Sequence, residues 1–514
     1  MLKVEKRNGN IVDFENEKIE IAISKAMKET EKGLDESLAK EIAELINEEF
    51  KELEVVNIEQ VQDAVEVHLM KLRPDVARKY IIYREERTRL REQGWDMTDL
   101  QRDIYEKKYR YDSESFDEFL DRVSGGNGPI KKAIKDKKFM PAGRILAGRG
   151  LDKFGRKITL SNCYVMPKVE DNIEAIFDTA KYLARTYSYG GGCGLTLSKL
   201  RPKGAKVNNA ANTTTGAVSF MDLFSLVTGL IGMKGRRGAL MLNLDVYHPD
   251  IEDFINVKND LSKVNYANIS VNIDDEFMEA VKKDSEYDLH FEVEATGEEL
   301  RRTIKARDLF RVIAKNNWNM AEPGVLYTNK INSWHLMSED QEFEFAGVNP
   351  CAEETLPAFG SCNLSSINLS EFVKNPFTKY ARFEFERFGE LVRNGVIYLN
   401  EVLDENMKMH PLPQQREMSE KLRQIGLGIM GVSDMFIKLG VRYGSSESIS
   451  LVHQIGRTMI NEALRQSALL AKEDGPFPSY NADALLKSPF LISNADEDVL
   501  ELVTKHGLRN SQLL

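Results

Sequence analysis

The sequence has 514 residues, of which 42% are hydrophobic, and its 81 acidic and 70 basic residues give a formal net charge of -11. This length and apolar content predict an ordered globular protein with two or three domains. The acidic balance, spread along the chain without a basic arm, argues against nucleic acid as a partner, although local basic pockets could still bind anionic nucleotides.

The N-terminus is polar from Met1 through Arg7 and has no apolar signal segment, so we expect a cytoplasmic protein. The apolar stretch from Ala217 to Met233 is interrupted by Asp222 and is shorter than the roughly 20 residues that span a bilayer, which predicts a buried helix and no membrane contact. The four cysteines form no C-x-x-C pair and the histidines are scattered, so we expect no metal site and a reducing compartment.

The first 92 residues have a pattern of their own. Short strands are predicted on either side of the turn signal Asn8-Gly9, at residues 3–6 and 11–14. A helix should follow from about Asn16, because apolar residues then recur at helical spacing. Another should begin at Asn57, with Gln60 completing a capping box, and a last one at Pro74.

This order of elements resembles the ATP-cone, a small regulatory domain that binds ATP or dATP. The matching residues are Val4, Lys6, Arg7, Asn8, Gly9, Phe14, Lys18 and the segment from Tyr80 to Arg87. The resemblance implies that Lys6, Arg7 and Lys18 converge on nucleotide phosphates, to which cationic donors make charge-assisted hydrogen bonds. The alternative for any one of these cations is an ordinary solvated surface.

Glycine-rich segments follow in the middle of the chain. Asp171 or Asn172 is suited to cap a helix, and the run from Gly190 to Gly194 then indicates close approach of the backbone to something, either packed protein or a ligand. The segment from Gly232 to Ala239 holds Lys234, Arg236 and Arg237 in a loop ahead of a predicted strand from Leu240 to Val246. That loop is either a solvated surface or a mobile element that reports between two nucleotide sites.

The segment Asn349-Pro350-Cys351-Ala352-Glu353 places an amide, a thiol and a carboxylate at alternate positions. Proline disfavours a helical conformation for the residue before it, so we expect an extended segment with Asn349, Cys351 and Glu353 on one face, about 7 Å apart. Such a row could act on one small substrate. The alternative is a buried cysteine in a turn, since free cysteine often packs as a small apolar residue.

Taken together, the motifs resemble the catalytic subunit of ribonucleotide reductase over almost the whole chain. The ordered set that carries the resemblance comprises the cone, Pro141-Ala142-Gly143-Arg144, Ser161-Asn162-Cys163, Gly191-Gly192-Cys193-Gly194, Gly235-Arg236-Arg237-Gly238-Ala239, Asn349 to Glu353, and Ser361-Cys362-Asn363-Leu364. The resemblance implies an α/β fold, a ten-stranded barrel of two antiparallel halves, each made of parallel strands with helices outside. The expected parts are an ATP-cone at 1–92, a helical region at 93–155, and a barrel at 156–514 with a finger loop near 346–356.

The same resemblance implies the chemistry of the site, the conversion of ribonucleotides to deoxyribonucleotides. Cys351 would carry a thiyl radical that abstracts hydrogen from the ribose 3′ carbon, with Glu353 as the base and Asn349 holding the hydroxyls. Cys163 and Cys362 would close to a disulfide at each turnover, which requires Cα atoms within about 7 Å. Cys193 matches no required thiol and is expected to pack. Substrate binding would fall to Ser161, Asn162, Arg236 and Arg237.

The resemblance to the ribonucleotide reductase family also implies how the protein is regulated and which partners it has. Asp171, Asn172, Arg201 and Lys203, with the loop to Gly216, match a specificity site for a deoxynucleoside triphosphate or ATP, and residues 234–239 would carry its signal to the substrate. A homodimer is expected. The radical would come from adenosylcobalamin, which we favour slightly because of Pro350, or from a small subunit with a dimetal centre. A thioredoxin- or glutaredoxin-type reductant would reopen the disulfide.

The match to the family breaks off at Leu514, before an expected phosphate-binding loop, a terminal cysteine pair and any radical-transferring tyrosines. We therefore expect a split or truncated reductase whose barrel lacks C-terminal strands and needs a complementary fragment for activity. The rival interpretation is a nucleotide-sensing regulatory protein without turnover.

Overall fold

A computed structural model describes residues 2–5, 11–92, 97–233 and 236–514, with the backbone alone at 86–92, 232–233 and 236–237. The chain divides into two compact units, Met1–Asp103 and Ile104–Leu514. Among the described residues, no helix is both long and apolar enough to cross a membrane.

The first unit is a small sheet with helices. Strand β1 pairs antiparallel with β2 across the predicted turn and parallel with β3, which the sequence did not indicate. Asn57 caps α3 in the predicted capping box with Gln60. The elements are β1 (Lys3–Glu5), β2 (Ile11–Asp13), α1 (Asn16–Lys28), α2 (Glu36–Phe50), β3 (Val55–Asn57), α3 (Ile58–Leu72) and α4 (Pro74–Glu92).

The second unit begins with short helices and then builds a parallel sheet. Helix α5 (Asp99–Ile104) contains the boundary between the units. The elements up to the end of the sheet are α6 (Phe116–Ser124), α7 (Gly128–Lys135), β4 (Phe139–Pro141), α8 (Gly143–Gly148), β5 (Cys163–Val165), α9 (Ile173–Ser188), β6 (Gly192–Thr196), α10 (Ala217–Leu230), β7 (Gly232–Met233), β8 (Arg236–Arg237), β9 (Leu240–Asp245), α11 (Ile251–Asn256), β10 (Asn268–Ile273), α12 (Asp275–Lys283), β11 (Glu286–Val293), β12 (Glu298–Lys305), α13 (Ala306–Met320) and β13 (Gly324–Tyr327).

The remaining elements form the finger loop, a second sheet and the C-terminal helices. They are α14 (Thr328–Ser333), β14 (Gly347–Val348), β15 (Thr355–Leu356), β16 (Ser361–Cys362), β17 (Leu364–Asn368), β18 (Val373–Lys374), β19 (Arg382–Phe383), α15 (Phe385–Asn406), α16 (Pro413–Leu422), β20 (Gly426–Met430), α17 (Val432–Leu439), α18 (Ser446–Asp474), α19 (Ala482–Leu485), α20 (Pro489–Asn494) and α21 (Glu497–His506).

The main sheet has the order β13-β10-β9-β6-β5-β16. Its first five strands are mutually parallel and follow one another in chain order, with helices in the connections, as parallel strands require. The predicted strand from Leu240 is β9, and five of its six residues are buried, as expected where both faces of a sheet are covered. Strand β16 closes this edge by pairing antiparallel with β5.

A single residue, Asn363, separates β16 from β17, so the chain passes there from the first sheet to the second. In the second sheet β17 pairs parallel with β20 and antiparallel with β4. Because β16 runs antiparallel to β5 and leads directly into β17, the two sheets are joined at this point of the chain.

Helix α10 lies in the apolar stretch that the sequence predicts to be a buried helix, but only one of its faces is buried. Met221 and Phe224 are fully buried, whereas Leu226 and Leu230 are 54% and 70% exposed. The prediction of a buried helix therefore holds for one face only, because an almost wholly apolar helix does not reveal which of its sides lacks a neighbour.

Candidate active site

The expected finger loop is a short hairpin. Strand β14 pairs antiparallel with β15, and the six residues from Asn349 to Glu354 connect them. The backbone N–H of Asn349 donates to the Glu354 carbonyl, and the N–H of Glu354 donates to Oδ1 of Asn349, both at 3.0 Å. The loop tip is thus fixed by two hydrogen bonds between its ends.

The prediction of an extended segment from Asn349 to Glu353 was wrong. The residues after Pro350 form a turn, and Ala352 adopts a left-handed conformation with φ of 65°. Asn349 is fully buried, whereas Cys351 and Glu353 are exposed, so the three side chains do not share one face. Proline restricts its own φ and the residue before it, which leaves the residues after it free to turn.

The finger loop lies directly on β6, because two residues of that strand are glycine. A Cβ atom at Gly194 would stand 1.6 Å from the carbonyl oxygen of Val348, and one at Gly192 would stand 2.9 Å from Cγ of Pro350. Nδ2 of Asn268 also donates to the Pro350 carbonyl at 3.0 Å. The glycine run therefore serves close backbone packing of the loop, one of the two alternatives that the sequence left open.

Strand register places two of the cysteines on the sheet face that carries this loop. In β5, Cys163 is the register partner of Gly192, and in β16 Cys362 is the partner of Cys163. Register partners in a sheet project to the same side, so both thiols face the finger loop. Cys193, next to Gly192, projects to the opposite side, where it is fully buried in the apolar core.

Cys163 and Cys362 meet the geometric requirement for a disulfide. Directly opposed residues of an antiparallel pair have Cα atoms roughly 4.5–5.5 Å apart, inside the range that a disulfide spans. Both cysteines are present as thiols, with Cys163 8% and Cys362 1% exposed. Contact with Cys163, burial and the neighbouring Glu354 carboxyl all raise the pKa of Cys362.

Glu354 is a site residue that the sequence analysis missed. Its side chain is 6% exposed and contacts the Cys362 thiol, and burial is the main cause that raises its pKa to about 7. Oε1 lies 2.3 Å from the position of a Cβ at Gly426, so this glycine of β20 makes room for the carboxyl group. The only local signal was the second of two consecutive glutamates, and no pattern identified it as the buried one.

Ser161 and Asn162, which precede β5 and are predicted to bind substrate, make hydrogen bonds within the protein. Oγ of Ser161 donates to Oδ1 of Asn363 at 2.9 Å and accepts from Nδ2 of Asn406 at 2.9 Å. Oδ1 of Asn162 accepts the backbone N–H of Arg144 at 3.2 Å. Ser161 is therefore held inside a buried polar network, whereas Asn162 is only partly buried.

The predicted specificity-site residues lie together at the start of α9. Nε of Arg201 contacts Oδ2 of Asp171 at 2.6 Å, and the backbone N–H of Arg201 donates to Oδ1 of the same carboxylate. Asn172, rather than Asp171, caps α9 through the N–H of Ala175. Lys203 is largely exposed, with Nζ 4.0 Å from Asp253. An ion pair and an exposed cation two residues further along the chain thus lie in this region.

The remaining predicted residues are only partly described. Val4 is buried in the core of the first unit, and Lys18 is exposed and contacts Glu15 at 2.8 Å. Lys6, Arg7 and Gly9 lie outside the described residues, as do Lys234 and Gly235. Arg236 and Arg237 form β8, which pairs with β7, and their side chains are not described.

Arg84, in the segment that resembles the cone, has a structural contact that the sequence did not reveal. Its guanidinium contacts carboxylates of α3 at 2.6–2.7 Å, those of Glu59, Asp63 and Glu66. These contacts join α3 to α4.

Comparison with known proteins assigns both parts of the chain. Residues 161–514 match the family described as the ribonucleotide reductase barrel domain, and residues 2–89 match the ATP cone domain. A vitamin B12-dependent ribonucleoside-diphosphate reductase of Thermoplasma acidophilum is 30% identical, over 93% of this chain and 72% of that protein. A protein of the same description from Mycobacterium tuberculosis is 30% identical over 95% and 72%. The ribonucleoside-diphosphate reductase large chain of Encephalitozoon cuniculi is 27% identical over 69% and 50%.

Glu354 predicts a specific pH dependence of stability. Because its pKa rises from 4.5 to about 7 on folding, the folded state retains a proton that the unfolded state releases. The contribution of the protonated Glu354 carboxyl to the free energy of unfolding is fully present below pH 4.5 and is lost as the pH rises through 7. Between pH 5 and 8, the wild type should therefore lose about 2 kcal/mol of unfolding free energy relative to Glu354→Gln.

Urea unfolding of both proteins at the two pH values measures this difference. The control is Glu342→Gln, which changes an exposed carboxylate and should follow the wild type. Identical pH dependence of the wild type and Glu354→Gln would show that Glu354 keeps an ordinary pKa.

Proposed function

This chain belongs to the ribonucleotide reductase family, and we propose that it reduces ribonucleotides by thiyl-radical chemistry under control by bound nucleotides. The observation that carries the proposal is the pairing of Cys163 with Cys362 on the sheet face that holds the finger loop. Reduction of a ribose carbon takes two electrons, and two adjacent thiols that close to a disulfide supply them.

In the proposed mechanism, Cys351 carries the thiyl radical at the exposed tip of the finger loop. Its sulfur takes a hydrogen atom from the ribose 3′ carbon and returns it at the end of the reaction. Glu353, two residues away and also exposed, accepts the proton of the 3′ hydroxyl. Asn349 holds a hydroxyl through Nδ2, which is buried and has no hydrogen-bond partner among the described residues.

The dithiol then completes the reduction. The 2′ hydroxyl leaves as water after receiving a proton from one thiol of the Cys163–Cys362 pair. The second thiol supplies the hydrogen that the 2′ carbon gains, and the two electrons come from the sulfurs as they join in a disulfide. One ribonucleotide and two thiols thus yield one deoxyribonucleotide, one water and one disulfide.

The proposed radical source is adenosylcobalamin, because the relatives from Thermoplasma acidophilum and Mycobacterium tuberculosis are named vitamin B12-dependent. When bound, adenosylcobalamin supplies a carbon-centred radical. The exposed thiol of Cys351 fits this role, since a buried thiol could not give its hydrogen atom to a cofactor. The finger loop holds that thiol in place through the contacts of Pro350 with Gly192 and Asn268.

Nucleotide effectors are proposed at two places. The ATP cone would bind ATP or dATP. At the start of α9, Arg201 and Lys203 offer cationic groups for the phosphates of a deoxynucleoside triphosphate, and the Asp171 carboxylate can accept a ribose hydroxyl.

Turnover tests the proposal directly. With the complementary C-terminal fragment that the sequence analysis expects, adenosylcobalamin, a ribonucleoside diphosphate and a dithiol, the wild type should form deoxyribonucleotide, measured by chromatography. Cys351→Ala should form none, because the hydrogen-abstracting sulfur is gone. Cys193→Ala, which alters a core thiol on the opposite face of β6, should retain turnover. A wild type that binds nucleotide but forms no product even with that fragment would contradict the proposal and favour a nucleotide sensor.

The proposed assembly is a homodimer formed through α9 and α10. These neighbouring helices expose the apolar residues Ile173, Phe177, Leu226 and Leu230 by 54–70%. An apolar patch of this kind on adjacent helices is typical of an interface, and the same patch on both copies forms a two-fold contact.

Light scattering at micromolar concentration should give the mass of a dimer for the wild type and of a monomer for Phe177→Glu, because the new charge would be buried between copies. The matched control is Ile437→Glu on α17, where the native side chain is 62% exposed, and it should remain dimeric. A dimeric Phe177→Glu variant would place the interface elsewhere.

A further inference from the structure

Glu354 is buried and lies against the sulfur of Cys362, whereas Cys351 at the tip of the finger loop is exposed. Its carboxyl contacts the Cys362 thiol, and the exposed Glu353 is the other titratable group that acts on it. Oε2 is buried without a hydrogen-bond partner among the described residues. An oxygen left in this state is unfavourable, which a purely structural side chain would avoid.

The two thiols of the pair differ in access. Cys163 is 8% exposed, whereas Cys362 is 1% exposed and is enclosed by Cys163 and Glu354. A reductant that reopens the disulfide therefore reaches the sulfur of Cys163 first. Cys362 is then the leaving group, since exchange breaks the bond to the sulfur that is not attacked.

We propose that Glu354 is a catalytic acid and base for Cys362, protonating its sulfur when an external dithiol reopens the Cys163–Cys362 disulfide. This inference rests on the proposed function, which supplies the disulfide. It assigns to the buried Glu354 a role separate from that of Glu353, which is exposed.

The step balances as follows in atoms and electrons. A thiolate of the reductant attacks Sγ of Cys163, forming a mixed disulfide, and the electron pair of the broken S–S bond stays on Sγ of Cys362. The Glu354 carboxyl gives that sulfur its proton and becomes a carboxylate, which solvent later reprotonates. The second thiolate of the reductant attacks the mixed disulfide, leaving an oxidised reductant and Cys163 as a thiolate that takes a proton from water.

The surroundings of Cys362 make this proton necessary. Contact with the Cys163 thiol, burial and the Glu354 carboxyl all raise the pKa of the Cys362 thiol. A thiolate of raised pKa is a poor leaving group in disulfide exchange. A carboxyl group whose pKa is about 7 is protonated in a useful fraction at neutral pH and can also give up that proton. The Glu354 carboxyl therefore lies beside the sulfur that needs a proton and can supply one at neutral pH.

The test measures reopening of the disulfide without any nucleotide or cofactor. The full chain is oxidised with diamide, and the Cys163–Cys362 bond is identified by peptide mass spectrometry. Dithiothreitol then reduces it, alkylation stops the reaction at timed points, and each rate is divided by the thiolate concentration at that pH. The proteins compared are the wild type, Glu354→Gln, Glu354→Asp and the exposed-carboxylate control Glu342→Gln.

At pH 6, the wild type and Glu342→Gln should react at least about 10-fold faster per thiolate than Glu354→Gln, with Glu354→Asp between them. The difference should vanish by pH 8.5, where Glu354 has lost its proton. Equal rates of the wild type and Glu354→Gln at pH 6 would overturn this inference and leave the proposed function intact. A wild type that never forms the Cys163–Cys362 bond would overturn both.

Discussion

The close approach of the Val348 carbonyl to Gly194 is the contact on which the site depends. A glycine at this position of β6 is the only residue that leaves room for the finger loop, because any Cβ would overlap the carbonyl oxygen. Gly192 makes the same allowance for Pro350 two residues earlier on the same face. A loop that lies on a sheet without intervening side chains is held by backbone geometry, so the thiol at its tip has a defined position.

The positions of the cysteines in the site follow from strand register relative to β6. Because β5 runs parallel beside β6 and β16 antiparallel beside β5, Cys163 and Cys362 fall in one row with Gly192. The alternation of side chains sends Cys193 to the other face, into the apolar core and away from the Cys163–Cys362 pair. The finger loop and the Cys163–Cys362 pair thus share one side of the sheet.

Short sequence motifs correctly predicted the hairpin strands and the capped helix of the first unit. The Asn8-Gly9 turn lies outside the described residues, but the strands on either side of it pair as expected, and the Asn57 capping box is present. The turn after Pro350 was missed, because proline disfavours a helical conformation only for the residue before it, and a hydrogen bond from the Glu354 N–H to Oδ1 of Asn349 closes the turn. The burial of Glu354 depends on Gly426, far along the chain, and no local pattern encodes such a contact.

Substitution of Gly194 by alanine tests the central constraint most directly. The matched control is Gly428→Ala in β20, where the nearest atom to a new Cβ is 3.6 Å away. Urea unfolding should show a loss of about 3 kcal/mol in unfolding free energy for Gly194→Ala, as expected for forced overpacking, and a change within about 1 kcal/mol for Gly428→Ala. Equal stability of the two variants would contradict the account, because the finger loop would then not be held against β6 by this glycine.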